Sequence, residues 1–371
     1  MDLQYAVTIY MTLFALIIMF MIVWNNDLLD KKKKLQFFAI FGTIIVAAIA
    51  EWLGVYLEGA PAQMRVVHIL AKTIDHSLAP MIGLLFAQVI SSRANKRCLW
   101  IPLLIHAVLE LASGWLGFIY YIDKNNHYAH GKCYWIYVVI YLFYSIYFLA
   151  QAWRFGNKYQ NNNKGILGMT LLFFVSGVTL GMVYSQIRVA YICVAIDTII
   201  IYVYYTGIIE KMDSMTGLLN RRSYESRIVN MEEKVQVLFF DVDDFKHIND
   251  NFGHQFGDEC LRIVGRAIRA VYGANGHCYR IGGDEFCVLL EKKRESIDNL
   301  YNQFFRYLDK MREKDKRIPY VSVGDVAFNP KTTDIESAIK EADMKMYERK
   351  QQKKQENIYT KNKKDRHTNI G

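Results

Sequence analysis

The six cysteines, Cys98, Cys133, Cys193, Cys260, Cys278 and Cys287, never fall at paired spacing. Their scatter excludes a zinc-finger pattern and provides no disulfide framework. The last three are expected in a reduced compartment. A basic helix or aromatic-rich basic groove of the nucleic-acid type is also missing, although the formal net charge is +9. Residues 349–371 alone carry 8 basic and 2 acidic side chains, so the globular stretch before them is slightly acidic. No nucleic acid partner is expected. Residues 1–210 hold only 15 Lys and Arg and 10 Asp and Glu. They show no internal repeat, no pair of broken helices and no pore-like polar stripe, which argues against a transporter.

What residues 1–210 do contain is apolar runs, at about 5–24, 36–57, 66–90, 98–121, 133–153, 165–184 and 188–209. Each approaches the ~20 residues that a helix needs to cross the hydrocarbon core. The first run is long, lacks a basic start and is succeeded by further runs, so it does not read as a signal peptide. Loops after runs one, three and five hold Lys31 to Lys34, then Arg93, Lys96 and Arg97, then Arg154, Lys158 and Lys164. Segments after runs two, four and six hold only Arg65, then Lys124 and Lys132, then Arg188. The positive-inside rule makes the first set cytoplasmic. The N-terminus is then outside, and seven crossings deliver residue 210 to the cytoplasm. This layout resembles the seven-helix sensory regions in front of bacterial signalling enzymes. It implies a multi-pass protein of the bacterial cell membrane with an unidentified sensory ligand.

Polar residues inside such runs each need a partner or a purpose. Lys72, Asp75 and His76 share one face of the third run, and His106 and Glu110 one face of the fourth, while Glu51 and Asp197 stand alone. They read either as a ligand pocket or proton-sensitive switch, or as interhelical hydrogen bonds that fix packing. From Tyr205 to Met212 there is no Pro and one Gly. The seventh helix is therefore expected to run straight into the second half of the chain.

From residue 211 the pattern becomes mixed α/β, with a basic and disordered tail expected over 356–371. Val235 to Phe240 is a short apolar run that reads as a buried strand. Amphipathic helices are expected over about Glu259 to Tyr272, Ser296 to Lys314 and Ile335 to Lys350, and another strand over Tyr320 to Phe328. Strands over Gly276 to Ile281 and Phe286 to Leu290 flank Gly282-Gly-Asp-Glu285. Glycine there lets the backbone approach a ligand, and a tight turn holding Asp284 and Glu285 suits a hard cation that carries phosphates.

Five motifs stand in order: Asp213-x-Met-Thr-Gly-Leu-x-Asn-Arg-Arg222, Asp241-Val-Asp-x-Phe-Lys-x-Ile-Asn-Asp250, Phe252-Gly-His-x-x-Gly-Asp258, Arg280-x-Gly-Gly-Asp-Glu-Phe286 and Ala342-Asp-x-x-x-Tyr-x-x-Lys350. Together they resemble a GGDEF domain over about 211–355, a diguanylate cyclase that joins two GTP into cyclic di-GMP and releases pyrophosphate. The resemblance implies an α+β fold, an antiparallel sheet with flanking helices like the palm of nucleotide polymerases and cyclases. Asp241, the carbonyl of Val242 and Asp284 match the ligands of Mg²⁺ (or Mn²⁺). The plainer role for Asp241 is a helix N-cap. Glu285 matches the second essential acid, a metal contact or a base for the 3′-hydroxyl. The backbone amides of Asp244 and Phe245 suit phosphate oxygens, since helix N-termini attract anions. Lys246, Lys350 and Lys354 match phosphate contacts, although at 354 many members carry Arg, whose bidentate fork is lost here.

Asn249 and Asp258 match the residues that read the guanine edge. His254 either lines that pocket or stabilises a turn. Many members carry Arg-x-x-Asp before the signature, where the product inhibits. Gly273-Ala-Asn-Gly276 stands there instead, so no allosteric product site is expected. One domain holds one GTP, so the reaction implies a homodimer. The alternative is a silent GTP-binding membrane receptor that signals through protein contacts.

Overall fold

The computed structural model describes residues 3–91, 94, 96–158, 165–166, 168–170, 189–291, 295–348 and 350–351. Most of the sixth apolar run, Arg93, Lys164, Arg188, Lys354 and the tail 356–371 lie outside the described residues. The chain divides into two compact units, Met1–Glu210 and Lys211–Gly371.

The first unit is helical: α1 (Leu3–Trp24), α2 (Lys31–Tyr56), α3 (Arg65–Ile90), α4 (Ile101–Leu116), α5 (Trp135–Lys158) and α6 (Ala190–Ile209). Among the described residues, six helices are long and apolar enough to cross a membrane. Three expectations need correction. Lys31 to Lys34 are not in a loop; they form the first turn of α2, because the Asp30 side chain accepts from Lys33 N at 2.7 Å and caps it. The fourth run does not reach residue 121. Gly117 adopts a left-handed φ of 77° and closes α4, and a short antiparallel hairpin succeeds it, β1 (Tyr120–Ile122) and β2 (Tyr128–His130). The aromatic and apolar residues of that hairpin mimic a helical run in composition.

The third correction concerns α6, which ends at Ile209 rather than running on. Backbone groups just beyond it are already engaged: Lys211 O accepts from Asn220 N at 2.9 Å, and Asp213 N donates to Leu218 O at 2.8 Å. A turn that bonds forward cannot also extend the helix behind it.

The second unit contains α7 (Arg221–Val229), β3 (Val235–Val242), α8 (Phe245–Phe252), α9 (His254–Tyr272), β4 (Gly276–Arg280), β5 (Glu285–Leu290), α10 (Ile297–Lys314) and β6 (Val321–Phe328). A last helix, α11, covers 335–348. The sheet has the order β4-β5-β3-β6, with every neighbour antiparallel. The unit is α+β, as its sequence implies.

β3 is buried on both faces because its alternate residues enter different cores. Leu238, Phe240 and Val242 pack with Phe286, Val288, Leu261, Val264 and Phe304 under α9 and α10. Val235, Val237 and Phe239 pack with Cys287 and Leu289 under α7 and α11. Fully buried Phe240 sets its ring edge to face against Phe304 at 5.2 Å and Tyr272 at 5.5 Å. Burial of each such ring stabilises by about 2–3 kcal/mol. The sheet is thereby a rigid plate, and its polar end is where β3 and β5 run out of core.

Candidate active site

That polar end is assembled by strand register. Asp241 on β3 stands opposite Glu285 on β5, on the face covered by α7 and α11. Glu285 therefore belongs to the strand and not to the turn; only Gly282 to Asp284 make the turn. Asp284 lies beside β3, since its carbonyl accepts from Val242 N at 3.3 Å. Asp241 is not a helix cap: the position before α8 belongs to Asp244, which adopts a left-handed φ of 53°. That conformation is costly for a non-glycine residue, so the sharp bend from β3 into α8 is held by its surroundings.

The carboxylates are crowded. Burial first, then the charges of Asp284, Asp241 and Asp343, hold the Glu285 carboxyl above its usual range, with Arg221 pulling the other way. Asp343 is raised as well, by burial and then by Asp241. The Lys350 ammonium contacts Asp241 and lies 3.5 Å from Asp243. Burial works against the Lys350 charge, but the hydrogen bond and charge of Asp241 outweigh it and raise its pKa. Ser322 on β6 donates to Asp243 at 2.8 Å.

Asp241, Asp243 and Glu285 bring oxygen donors to this end of the sheet, with the Lys350 ammonium among them. Among the described residues, no three His, Cys, Asp or Glu side chains converge into a complete metal cage. Two carboxylates plus a backbone carbonyl, with other positions open to further oxygen ligands, fit a hard divalent cation.

A second group of the residues singled out by the sequence stands at the α8–α9 corner, joined through Gly253 at φ 81°. A Cβ at Gly257 would come within 2.0 Å of Asn249 Oδ1. The glycine thus makes room for the Asn249 amide, and Asp258 occupies the next position of α9. The Asp258 carboxylate lies 3.9 Å from Arg262. His254 is exposed at the same corner, and Lys246 is exposed in the first turn of α8. Asn249, Asp258 and His254 therefore share the α8–α9 corner, Lys246 stands at the start of α8, and Asp241, Asp284, Glu285 and Lys350 share the sheet end.

Roles for Arg280 and Asp213 do not emerge from the motif pattern alone. The Arg280 guanidinium donates to Gly283 O at 2.7 Å and to both Asp213 oxygens at 3.2 and 3.3 Å. Asp213 also accepts from Thr216 N and Thr216 Oγ1. One arginine thereby ties the glycine turn to the Asp213–Thr216 turn. A cavity of about 350 Å³ opens beside Glu285, lined among others by Arg221, Tyr224, Phe239, Ile281 and Ile339.

Comparison with known proteins agrees with this geometry. The family model described as "Diguanylate cyclase, GGDEF domain" matches residues 210–356. Diguanylate cyclase DgcP of Escherichia coli K12 is 36% identical over 152 residues, 38% of this chain and 45% of DgcP. Diguanylate cyclase VdcA of Vibrio cholerae is 30% identical over 148 residues, 37% of this chain and 43% of VdcA. The chain therefore spans less than half the length of these curated relatives. Among solved structures, the coiled coil and GGDEF domain of DgcB from Caulobacter crescentus, in complex with c-di-GMP, is 22% identical with a TM-score of 0.38. That similarity covers 44% of this chain and 93% of that one. Ordered motifs, the sheet that carries them and the family match together make residues 210–356 of this chain a GGDEF domain.

Proposed function

We propose that this chain is a membrane-bound diguanylate cyclase, which condenses two GTP into cyclic di-GMP and two pyrophosphate under the control of a seven-helix membrane region. The observation that carries the reading is the register pairing of Asp241 with Glu285, with Asp284 beside them and the Asn249–Asp258 corner intact. The six described apolar helices support the membrane part. The charge bias of the sequence supports an outside N-terminus and a cytoplasmic catalytic unit.

The reaction is attack by a ribose 3′-hydroxyl on the α-phosphate of another GTP, in line with departing pyrophosphate. Asp241, Asp284 and the Val242 carbonyl would hold Mg²⁺ or Mn²⁺, which when bound neutralises charge on the phosphate oxygens. Lys246, Lys350 and Lys354, with the amides of Asp244 and Phe245, bind the phosphates. Asn249 and Asp258 read the guanine edge, and His254 lines the same corner. Glu285, held above the usual carboxylate range, is suited to take the proton of the 3′-hydroxyl. Each unit holds one GTP, so two copies must face each other and the working form is a homodimer.

Product inhibition through the turn before the signature has no support. A Cβ at Gly276 would come within 2.0 Å of Leu289 O, so that position has no room for the acid of an Arg-x-x-Asp site. Full-length protein in lipid nanodiscs, given GTP and Mg²⁺, tests the reading by chromatography of the products. Cyclic di-GMP is expected; GTP recovered unchanged from a folded dimer would refute it.

A further inference from the structure

Within the first unit, Glu110 on α4 is wholly buried between two imidazoles. His76 Nδ1 of α3 lies 3.1 Å from Glu110 Oε2, and His106 Nε2 lies 3.5 Å from Glu110 Oε1. The hairpin closes over them: Tyr128 of β2 places its hydroxyl 3.3 Å from His76 Nε2. Tyr137 of α5 stacks on the His76 ring at 4.7 Å, and Tyr120 of β1 meets it edge-on at 5.2 Å. We propose that this His76–Glu110–His106 cluster is a proton-sensing site, read out by the β1–β2 hairpin through Tyr128.

Donor and acceptor logic identifies the nitrogen that takes the proton. His106 Nε2 faces the His76 carbonyl at 3.3 Å and so carries hydrogen, while its Nδ1 has no hydrogen-bond partner among the described residues. A second proton on His106 would be buried unmet. His76 Nδ1 faces a carboxylate and donates to it, which leaves Nε2 to accept from the Tyr128 hydroxyl. Protonation at Nε2 turns the buried Glu110 charge into an imidazolium–carboxylate pair. It also reverses the Tyr128 bond, which must now accept. A buried charge is costly unless paired, so the cluster has two distinct arrangements.

Several titratable groups around it have partners of their own; His130 of β2 stacks on the Tyr134 ring at 3.7 Å. Lys72 lies 3.3 Å from Asp75 and over the Tyr128 ring at 5.1 Å. Asp75 also accepts from Tyr191 of α6 at 2.5 Å, and Glu51 of α2 accepts from Tyr5 of α1. The neighbouring hydroxyl of Tyr120 is taken up by Thr73 and Ile69 O. Among the described residues, Glu110 pairs with the two imidazoles and with no Lys or Arg. The hairpin is clamped at its tip, where fully buried Asn126 donates to Leu57 O at 2.9 Å and meets His68 at 3.1 Å. A change at Tyr128 therefore acts on the hairpin and on the ends of α2 and α3 together.

The output arm rests on the proposed cyclase function and on the outside placement of the hairpin; the proton site itself does not. The test uses full-length protein in proteoliposomes, with GTP and Mg²⁺ outside at fixed pH and the lumen adjusted between about pH 5.5 and 7.5. Only molecules with the catalytic unit outward reach GTP, and their hairpins face the lumen. Cyclic di-GMP formation should change about three-fold or more with lumen pH in the parent, and stay flat in His76→Gln and Glu110→Gln. Imidazole NMR signals from histidine-labelled protein should include a titrating ring that is absent from His76→Gln. If that ring titrates while no dinucleotide forms at any lumen pH, the cyclase reading fails and the proton site stands. If His76 keeps one protonation state across this range, or if both variants respond like the parent, the proposal is overturned. Should His76→Gln not fold, Tyr128→Phe keeps the ion pair and must weaken the pH response.

Discussion

Arg280 and Asp213 are 67 positions apart, yet the Arg280 guanidinium donates to both Asp213 oxygens while its other nitrogens hold the Gly283 carbonyl. The bond joins the first motif of the domain to the turn that presents Asp284. It holds the glycine turn together with the backbone bonds from Gly282 N to Glu285 O and from Val242 N to Asp284 O, both at 3.3 Å.

Arg280→Ala should therefore cost about 2 kcal/mol, since it leaves the largely buried Asp213 carboxylate without its cation. Burial opposes ionisation of Asp213, but bonds from Thr216 and the charge of Arg280 outweigh it and lower the pKa. A depressed carboxylate contributes stability above its unfolded value, and that contribution is lost as pH falls through the folded value. Urea unfolding of a 205–371 fragment should show the difference between parent and Asp213→Asn shrinking below about pH 4.

Removing either register partner should separate turnover from folding. Asp241→Asn and Glu285→Gln are expected to lower cyclic di-GMP formation by about two to four orders of magnitude. Glu285 has a raised pKa, so its ionised form costs stability at neutral pH and nothing once protonated. Glu285→Gln should then raise the melting temperature at about pH 7 and leave it unchanged at about pH 4.

The acid limb of the pH–rate profile should track the neighbours of Glu285. Arg221 lowers its pKa and Asp343 raises it. Arg221→Ala should shift the limb to higher pH, and Asp343→Asn to lower pH. Steady-state kinetics with pyrophosphate detection resolves the two directions.

Gly257→Ala should act on recognition alone. Its Cβ would displace the Asn249 amide, a flexible side chain, so the fold should tolerate it. KM for GTP should rise about ten-fold, and preference for GTP over ITP should narrow, while thermal stability changes little. Competition kinetics with the two nucleotides reads both effects.

Placements that depend on short spacing are legible in the sequence. Asp241, Asn249, Asp258 and Asp284 sit in contiguous motifs, and strand alternation places β3 between two cores. Relations that need tertiary proximity are not. Nothing in the local pattern pairs Arg280 with Asp213, or brings His76 to Glu110 across 34 positions. The end of α6 is invisible to helix propensity because Lys211 and Asp213 bond forward to residues 218–220, a competition between distant partners. The β1–β2 hairpin is hidden because Ile119, Tyr120 and Ile122 are as apolar as a spanning helix, and only Gly117 marks the stop.

On the proposed reading, two copies of the Asp241–Asp284–Glu285 site, each holding one GTP, make cyclic di-GMP. The decisive assay takes a 205–371 fragment fused to a dimerising coiled coil, supplies GTP and Mg²⁺, and quantifies both products. Cyclic di-GMP with two pyrophosphates per molecule is expected, and none of either from the Asp284→Ala fragment. A forced dimer that binds GTP and releases neither product would contradict the reading.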